Sequence, residues 1–231
     1  MNCDNVLYFF EKINEIPRGS GNEKAISDYL VAFAKERNLW VHQDKANNVI
    51  IKKAGSNGYE NHKPVVIQGH MDMVCEKNND VIHDFLKDPI KVIYDGDFIH
   101  ADGTTLGADD GIAVAMAMAV LDDKNAVHPP IEVVITTDEE VGMLGAASLD
   151  TSIIEGRTLL NIDSEEEGVF TVGCAGGVKI NLTIPVDFVE AIGSHFMRII
   201  ITGLEGGHSG IDIIKKEQMP IKLWEDFFID W

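Results

Sequence analysis

The chain has 231 residues, room for one large domain or two modest ones, and its 45% hydrophobic and 25% charged content is that of an ordinary globular protein. A formal net charge of −19, from 38 acidic against 19 basic residues, argues against nucleic acid or an anionic membrane as partner, since both need basic patches. Cys3, Cys75 and Cys174 make neither a disulfide framework nor a C-x-x-C ligand pair, the N-terminus lacks a signal-peptide pattern, and no apolar run is long enough to span a bilayer, so the expectation is a cytoplasmic protein with reduced thiols.

In chain order, Asn5 to Ile16 sets Val6, Phe9, Phe10 and Ile13 at helical spacing and stops at Pro17. "RGSGNE" reads as a Gly/Ser turn, with Asn22 placed to cap a second amphipathic helix that carries Ile26, Tyr29, Leu30 and Phe33 and ends near Asn38. Leu39 to His42 and Asn48 to Lys53 read as paired strands, and Pro64 to Gln68 as another. Residues 75–104 alternate short β runs with turns, which predicts an excursion containing a hairpin. From Asp109 or Asp110 to Asp122 runs a helix apolar on nearly every face, hence deeply buried. Ile131 to Thr137 is a β-branched run suited to a parallel strand covered on both faces, Gly145 to Glu155 looks helical, and Thr158 to Ile162 is again a strand. This β-loop-α-β-loop-α-β order predicts an α/β sheet with crossover helices. After "GCAGGVKI" the character changes, with Val178 to Pro185 and His195 to Thr202 alternating like antiparallel strands. The domain boundary is expected near Gly177, giving units 1–177 and 178–231.

Four segments put His, Asp or Glu just beyond apolar strands or at a helix start: "VVIQGHMD", "TLGADDG", "VVITTDEEVG" and "TLLNIDSEEEG". In an α/β sheet that is where ligands bind. Carboxylates converging from four loops repel one another unless a cation lies between them. His70, at a strand end, is a suitable ligand for a divalent transition metal, and Asp72, two residues on, can bond the other ring nitrogen. Alone, His-x-Asp is an ordinary surface pair. Helix capping explains one of Asp109 and Asp110 but not both, and a carboxylate there can bridge two ions. Of Glu139 and Glu140, one can ligate while the other takes a proton from a metal-activated water; an acidic turn is the plain alternative. Asp163 points at the same crevice if its strand is a neighbour, while Glu165 to Glu167 read as a solvated run. His208, between Gly207 and Ser209, can donate to a substrate oxygen from a lid, or simply sit in a Gly-rich turn. His42, His62, His83, His100, His128 and His195 have no partner motif.

Together, "GHMDMVCEKN", "ADGTTLGADDGIAVA", "TTDEEVGMLGA", "LLNIDSEEEG" and "GGHSGIDI" resemble the zinc exopeptidase family of aminoacylases, carboxypeptidases and carnosinase-like dipeptidases. The likeness is greatest to its bacterial aminoacyl-histidine dipeptidase branch, the cytosolic non-specific dipeptidases, and covers residues 1 to about 214. It implies a mixed sheet flanked by helices, followed by the beginning of an α+β lid. It also implies two zinc ions, other divalent metals being possible, and hydrolysis of Xaa-His and other dipeptides by a zinc-activated water. Carried over, Asp109 bridges the ions, His70 and Asp163 complete one site, and Glu140 serves the other. Glu139 is then the base, Asp72 orients His70, His208 binds substrate, and the Asp109-Asp110 peptide is cis. Homodimers are frequent in the family.

Members of the family are longer, and a C-terminal histidine supplies the last ligand of the second zinc; no residue here matches it. The tail "KKEQMPIKLWEDFFIDW" departs from the family pattern and puts Pro220 inside the expected helix. The expectation is a truncated or frameshifted product. The alternatives to a working dipeptidase are an inactive fragment with at most one weak metal site and an N-acyl amino acid deacylase of the same family.

Overall fold

Strand β6, Ile131–Thr136, is buried at every position, and the rest of the sheet is arranged about it. The computed structural model describes residues 3–164, 166–173, 182–187 and 200. Helices α1 (Cys3–Asn14) and α2 (Lys24–Glu36) come first, then β1 (Trp40–Gln43), β2 (Val49–Lys53) and β3 (Val65–His70). A separate hairpin follows, β4 (Val92–Asp95) with β5 (Phe98–Ala101). Helix α3 (Ala108–Asp122), β6, the short α4 (Leu144–Ser148), a 3-10 turn (Thr151–Ile153) and β7 (Thr158–Asn161) complete the order. The main sheet runs β1-β2-β6-β3-β7. β1, β2 and β6 pair antiparallel, while β3 lies parallel to both β6 and β7. The sheet is therefore mixed, as expected. β6 is parallel on one side only, a point its β-branched composition alone does not reveal.

Period-2 alternation divides the strand side chains between two faces. Val49, Ile51, Val133 and Ile135 join the large core with Phe9, Phe10, Ile13, Ile26, Leu30 and Phe33 of α1 and α2. Helix α3 completes that layer with Val114, Ala117, Met118 and Leu121, which agrees with its apolar character on every side. On the opposite face, among the described residues, Ile50, Val66 and Val134 pack with Leu149, Ile153 and Ile154, a much thinner cover. Among the described residues, strand β7 has β3 as its one neighbour and is exposed along its whole length.

Two local expectations are corrected. The cap of α2 is Glu23, not Asn22, and it makes no side-chain bond to its own helix; its carboxylate accepts from Asp138 N at 3.0 Å instead. The helix expected over Gly145 to Glu155 breaks after Ser148, where Leu149 turns onto the second core and Asp150 caps the 3-10 turn by accepting from Ser152 N. By contact density the chain divides into two units, Met1–Lys179 and Ile180–Trp231. Of the second unit, 182–187 form no regular secondary structure; the rest of the strands expected there, and most of the expected lid, lie outside the described residues. Among the described residues no helix is long and apolar enough to cross a membrane.

The β6–β7 connection is anchored by Glu132. Its buried carboxylate accepts from Glu155 N and Gly156 N and pairs with Lys52 at 2.7 Å across the β2–β6 register. Glu132→Ala leaves the Glu155 and Gly156 amides without their acceptor and Lys52 with Glu155 as its remaining partner. The expected loss is about 3 kcal/mol of unfolding free energy, checked by urea denaturation.

Candidate metal centre

His70 closes β3, Glu139 and Glu140 follow β6, Asp163 follows β7, and Asp109 opens α3. Three parallel strands thus deliver their acidic or imidazole residues at their C-terminal ends, and one helix start faces them. Two groups have ligand atoms all within 4.8 Å of one another: His70, Asp109 and Glu140, and His70, Glu139 and Asp163. His70 Nε2 lies 3.2 Å from Asp109 Oδ1 and 4.0 Å from Asp163 Oδ2. The Asp109-Asp110 peptide is cis, as the resemblance implies.

Asp72 is fully buried and uses both its oxygens twice. Oδ1 sits 3.2 Å from His70 Nδ1 and accepts from Glu139 N at 3.1 Å; Oδ2 accepts from Ser20 Oγ at 2.8 Å and Glu140 N at 3.2 Å. So it orients the imidazole and also ties down the loop that bears both glutamates. That loop is fixed further by Asn48, whose Oδ1 accepts from Thr137 N and whose Nδ2 donates to Gly145 O, and by Glu23 at Asp138.

Asp110, buried at 2% exposure, turns inward and accepts the backbone N–H of His70 at 3.1 Å. Gly69 makes this approach possible. A Cβ there would meet Asp110 Oδ2 at 2.6 Å and the Ala113 methyl at 2.8 Å, so the glycine serves close packing within β3 rather than a turn after it.

The electrostatics follow from crowding. Burial, with Asp163 and Asp109 adding repulsion, pushes Asp110 up to about 7 despite the His70 charge. Burial raises Glu139 and Glu140 as well, with Asp163 the leading repulsive neighbour of the first and Asp109 of the second. Burial also works against a charged His70, but its bonds to Asp109 and Asp72 outweigh that and carry it up to about 11. Without a metal, the imidazolium proton is the cation that this cluster gathers around.

Of the expected site residues, His70, Asp72, Asp109, Glu139, Glu140 and Asp163 are brought together. His208 and His195 lie outside the described residues, as does Cys174; His42, His62, His83, His100 and His128 belong to neither group. Ser20, Glu23, Asn48 and the inward role of Asp110 were not read from the sequence. The one available signal was the "RGSGNE" turn, a run of polar groups between two apolar helices.

The fold and site define an α/β protein that gathers carboxylates and one imidazole at the C-terminal ends of its parallel strands. The model for peptidase family M20/M25/M40 matches residues 66–191, and the chain belongs to that family. It is 47% identical over 206 residues to the cytosol non-specific dipeptidase of Escherichia coli (strain K12), covering 88% of this chain and 42% of that protein. Among solved structures, the aminoacylhistidine dipeptidase from Vibrio alginolyticus is 49% identical with a TM-score of 0.69, over 71% of this chain and 34% of that one. A tripeptidase from Staphylococcus aureus is 26% identical with a TM-score of 0.60, over 72% and 44%. The chain thus spans less than half the length of these relatives.

The His70 charge makes a testable pH signature. With chelator present, the folded state holds this proton to about pH 11, whereas an unperturbed imidazole releases it near 6.5. Its contribution to stability is complete below 6.5 and is lost as pH rises toward 11. Asp72→Asn removes one of the carboxylates responsible. The His70 pKa, followed by NMR, then falls toward its ordinary value, and the loss of stability between pH 7 and 10 becomes shallower.

Proposed function

We propose that this chain carries the catalytic machinery of a dipeptidase that hydrolyses Xaa-His and other dipeptides with two zinc ions. The observation that carries the reading is the convergence on His70 of Asp109 and Glu140 in one group and of Glu139 and Asp163 in the other, with ligand atoms within 4.8 Å of one another in each. The similarity to two dipeptidases agrees with it. The donors fit zinc, which takes imidazole nitrogen and carboxylate oxygen, and the carboxylate pKa values, raised first by burial and further by neighbouring carboxylates, mark charges that a dication would offset.

In this reading Asp109, His70 and Asp163 would hold one ion, and Asp109 with Glu140 would hold the other. The chemistry that zinc supplies there is polarisation of the scissile carbonyl and a water acidic enough to lose its proton near neutral pH. Glu139 would accept that proton and return it to the leaving amine; a carboxylate with a raised pKa is a better-matched base for both transfers. Asp72, 3.2 Å from Nδ1, would hold the His70 ring so that Nε2 faces the ligand group. Its bonds to the Glu139 and Glu140 amides set where the base stands relative to the ligands. His208 would steady a substrate oxygen. A cytoplasmic location is part of the same reading, in keeping with the cytosol relative.

The test is metal content per chain, with Xaa-His dipeptides and N-acyl amino acids assayed on the same sample. Bound zinc with dipeptide turnover is expected. Glu139→Gln should then keep its metal and lose roughly 10²- to 10⁴-fold in kcat, while Asp109→Asn should lose metal as well. Faster N-acyl hydrolysis would make the chain a deacylase. Absence of both metal and turnover would leave an inactive fragment.

A further inference from the structure

Arg18 belongs to none of the motifs that carry the centre, yet its side chain is buried at 2% exposure beside two of them. Nη1 donates to the carbonyls of Met71 at 3.0 Å and Asp72 at 3.3 Å. Nη2 donates to Asn14 Oδ1 at 3.3 Å and to the carbonyl of Gly107. Met71 and Asp72 directly follow His70, and Gly107 precedes Asp109 by two residues. One planar fork therefore ties the segment that carries His70 to the segment that carries Asp109.

Two glycines give the fork its room. A Cβ at Gly107 would fall 2.5 Å from Arg18 Nη2, and one at Gly111 would fall 2.5 Å from Nη2 and 3.2 Å from Cζ. Gly107 also has a φ of +70°, so its backbone requires glycine independently. Gly111 has no positive φ, and the space taken by the guanidinium accounts for it. Burial lowers the Arg18 pKa to about 10, with Asp72 the leading charge that opposes the fall, so the group remains a cation at neutral pH.

We propose that Arg18 is the positioning residue that sets His70 against Asp109, and that Gly111 is glycine in order to admit its guanidinium. The consequence for metal affinity rests on the dipeptidase reading; the consequence for backbone position does not. Lysine would keep the charge and lose the fork, so charge and geometry separate experimentally.

The experiment uses the full chain with Arg18→Met, Arg18→Lys and Gly111→Ala, and Leu30→Ala as a core variant away from the centre. Amide hydrogen exchange is read by NMR in chelator. The amides of His70, Glu139 and Glu140, bonded to Asp110 and Asp72, should exchange roughly tenfold faster in all three site variants. Amides of Ile51 and Val133 should stay near wild type, and Gly111→Ala should add little on top of Arg18→Met. Zinc titration of the same proteins should show affinity about 10- to 100-fold weaker in the site variants and unchanged in Leu30→Ala. Exchange that is unaltered, or that rises uniformly as in Leu30→Ala, overturns the proposal. Should Arg18→Met fail to fold, the milder Gly111→Ala decides. A wild-type chain that takes up no zinc sinks the dipeptidase reading, while the exchange data still decide the role of Arg18.

Discussion

The buried carboxylate of Asp72 is the interaction on which the geometry of the centre depends. An ionised group without exposure is tolerable only if its oxygens are well supplied with donors. Here the donors come from three places in the chain: Ser20 before α2, the His70 ring, and the Glu139 and Glu140 amides after β6. Satisfying one charge therefore fixes the relative position of three segments. The imidazole, the proposed base and one proposed ligand all inherit their placement from it.

A second constraint is the surplus of negative charge. Asp72 and Asp110 are held by hydrogen bonds and face inward, while Asp109, Glu139, Glu140 and Asp163 crowd the same side of His70. Such a cluster costs stability unless a cation is present, and Arg18 and protonated His70 are cations that lie against it. Belonging to the M20/M25/M40 family fits this arrangement. The acidity that composition reports for the whole chain is, at this spot, concentrated with a purpose.

Much of this was legible in the sequence because the periodic signals were strong. The apolar body of α3, the β-branched β6 and the acidic punctuation after each strand led to an α/β sheet, and the segments quoted together led to six of the residues now seen at the centre. What stayed hidden depends on distance rather than pattern. Nothing near Asn48 indicates that its amide will hold Thr137 and Gly145, nearly a hundred residues away. Asn22 has the better capping side chain, yet Glu23 takes the cap position because its carboxylate is needed at Asp138. The break after Ser148 reflects packing of Leu149 on a thin second core, which helical spacing alone does not anticipate.

Among the described residues, strand β7 has one neighbour and exposed side chains throughout, with Leu159 at 58% and Leu160 at 51% exposure. Asp163 follows that strand, whereas His70 ends a strand paired on both sides and Asp109 opens a buried helix. Among the described residues the two flanks of the centre are therefore unequally supported: His70 and Asp109 stand on elements packed into the sheet and core, and Asp163 follows a strand paired on one side.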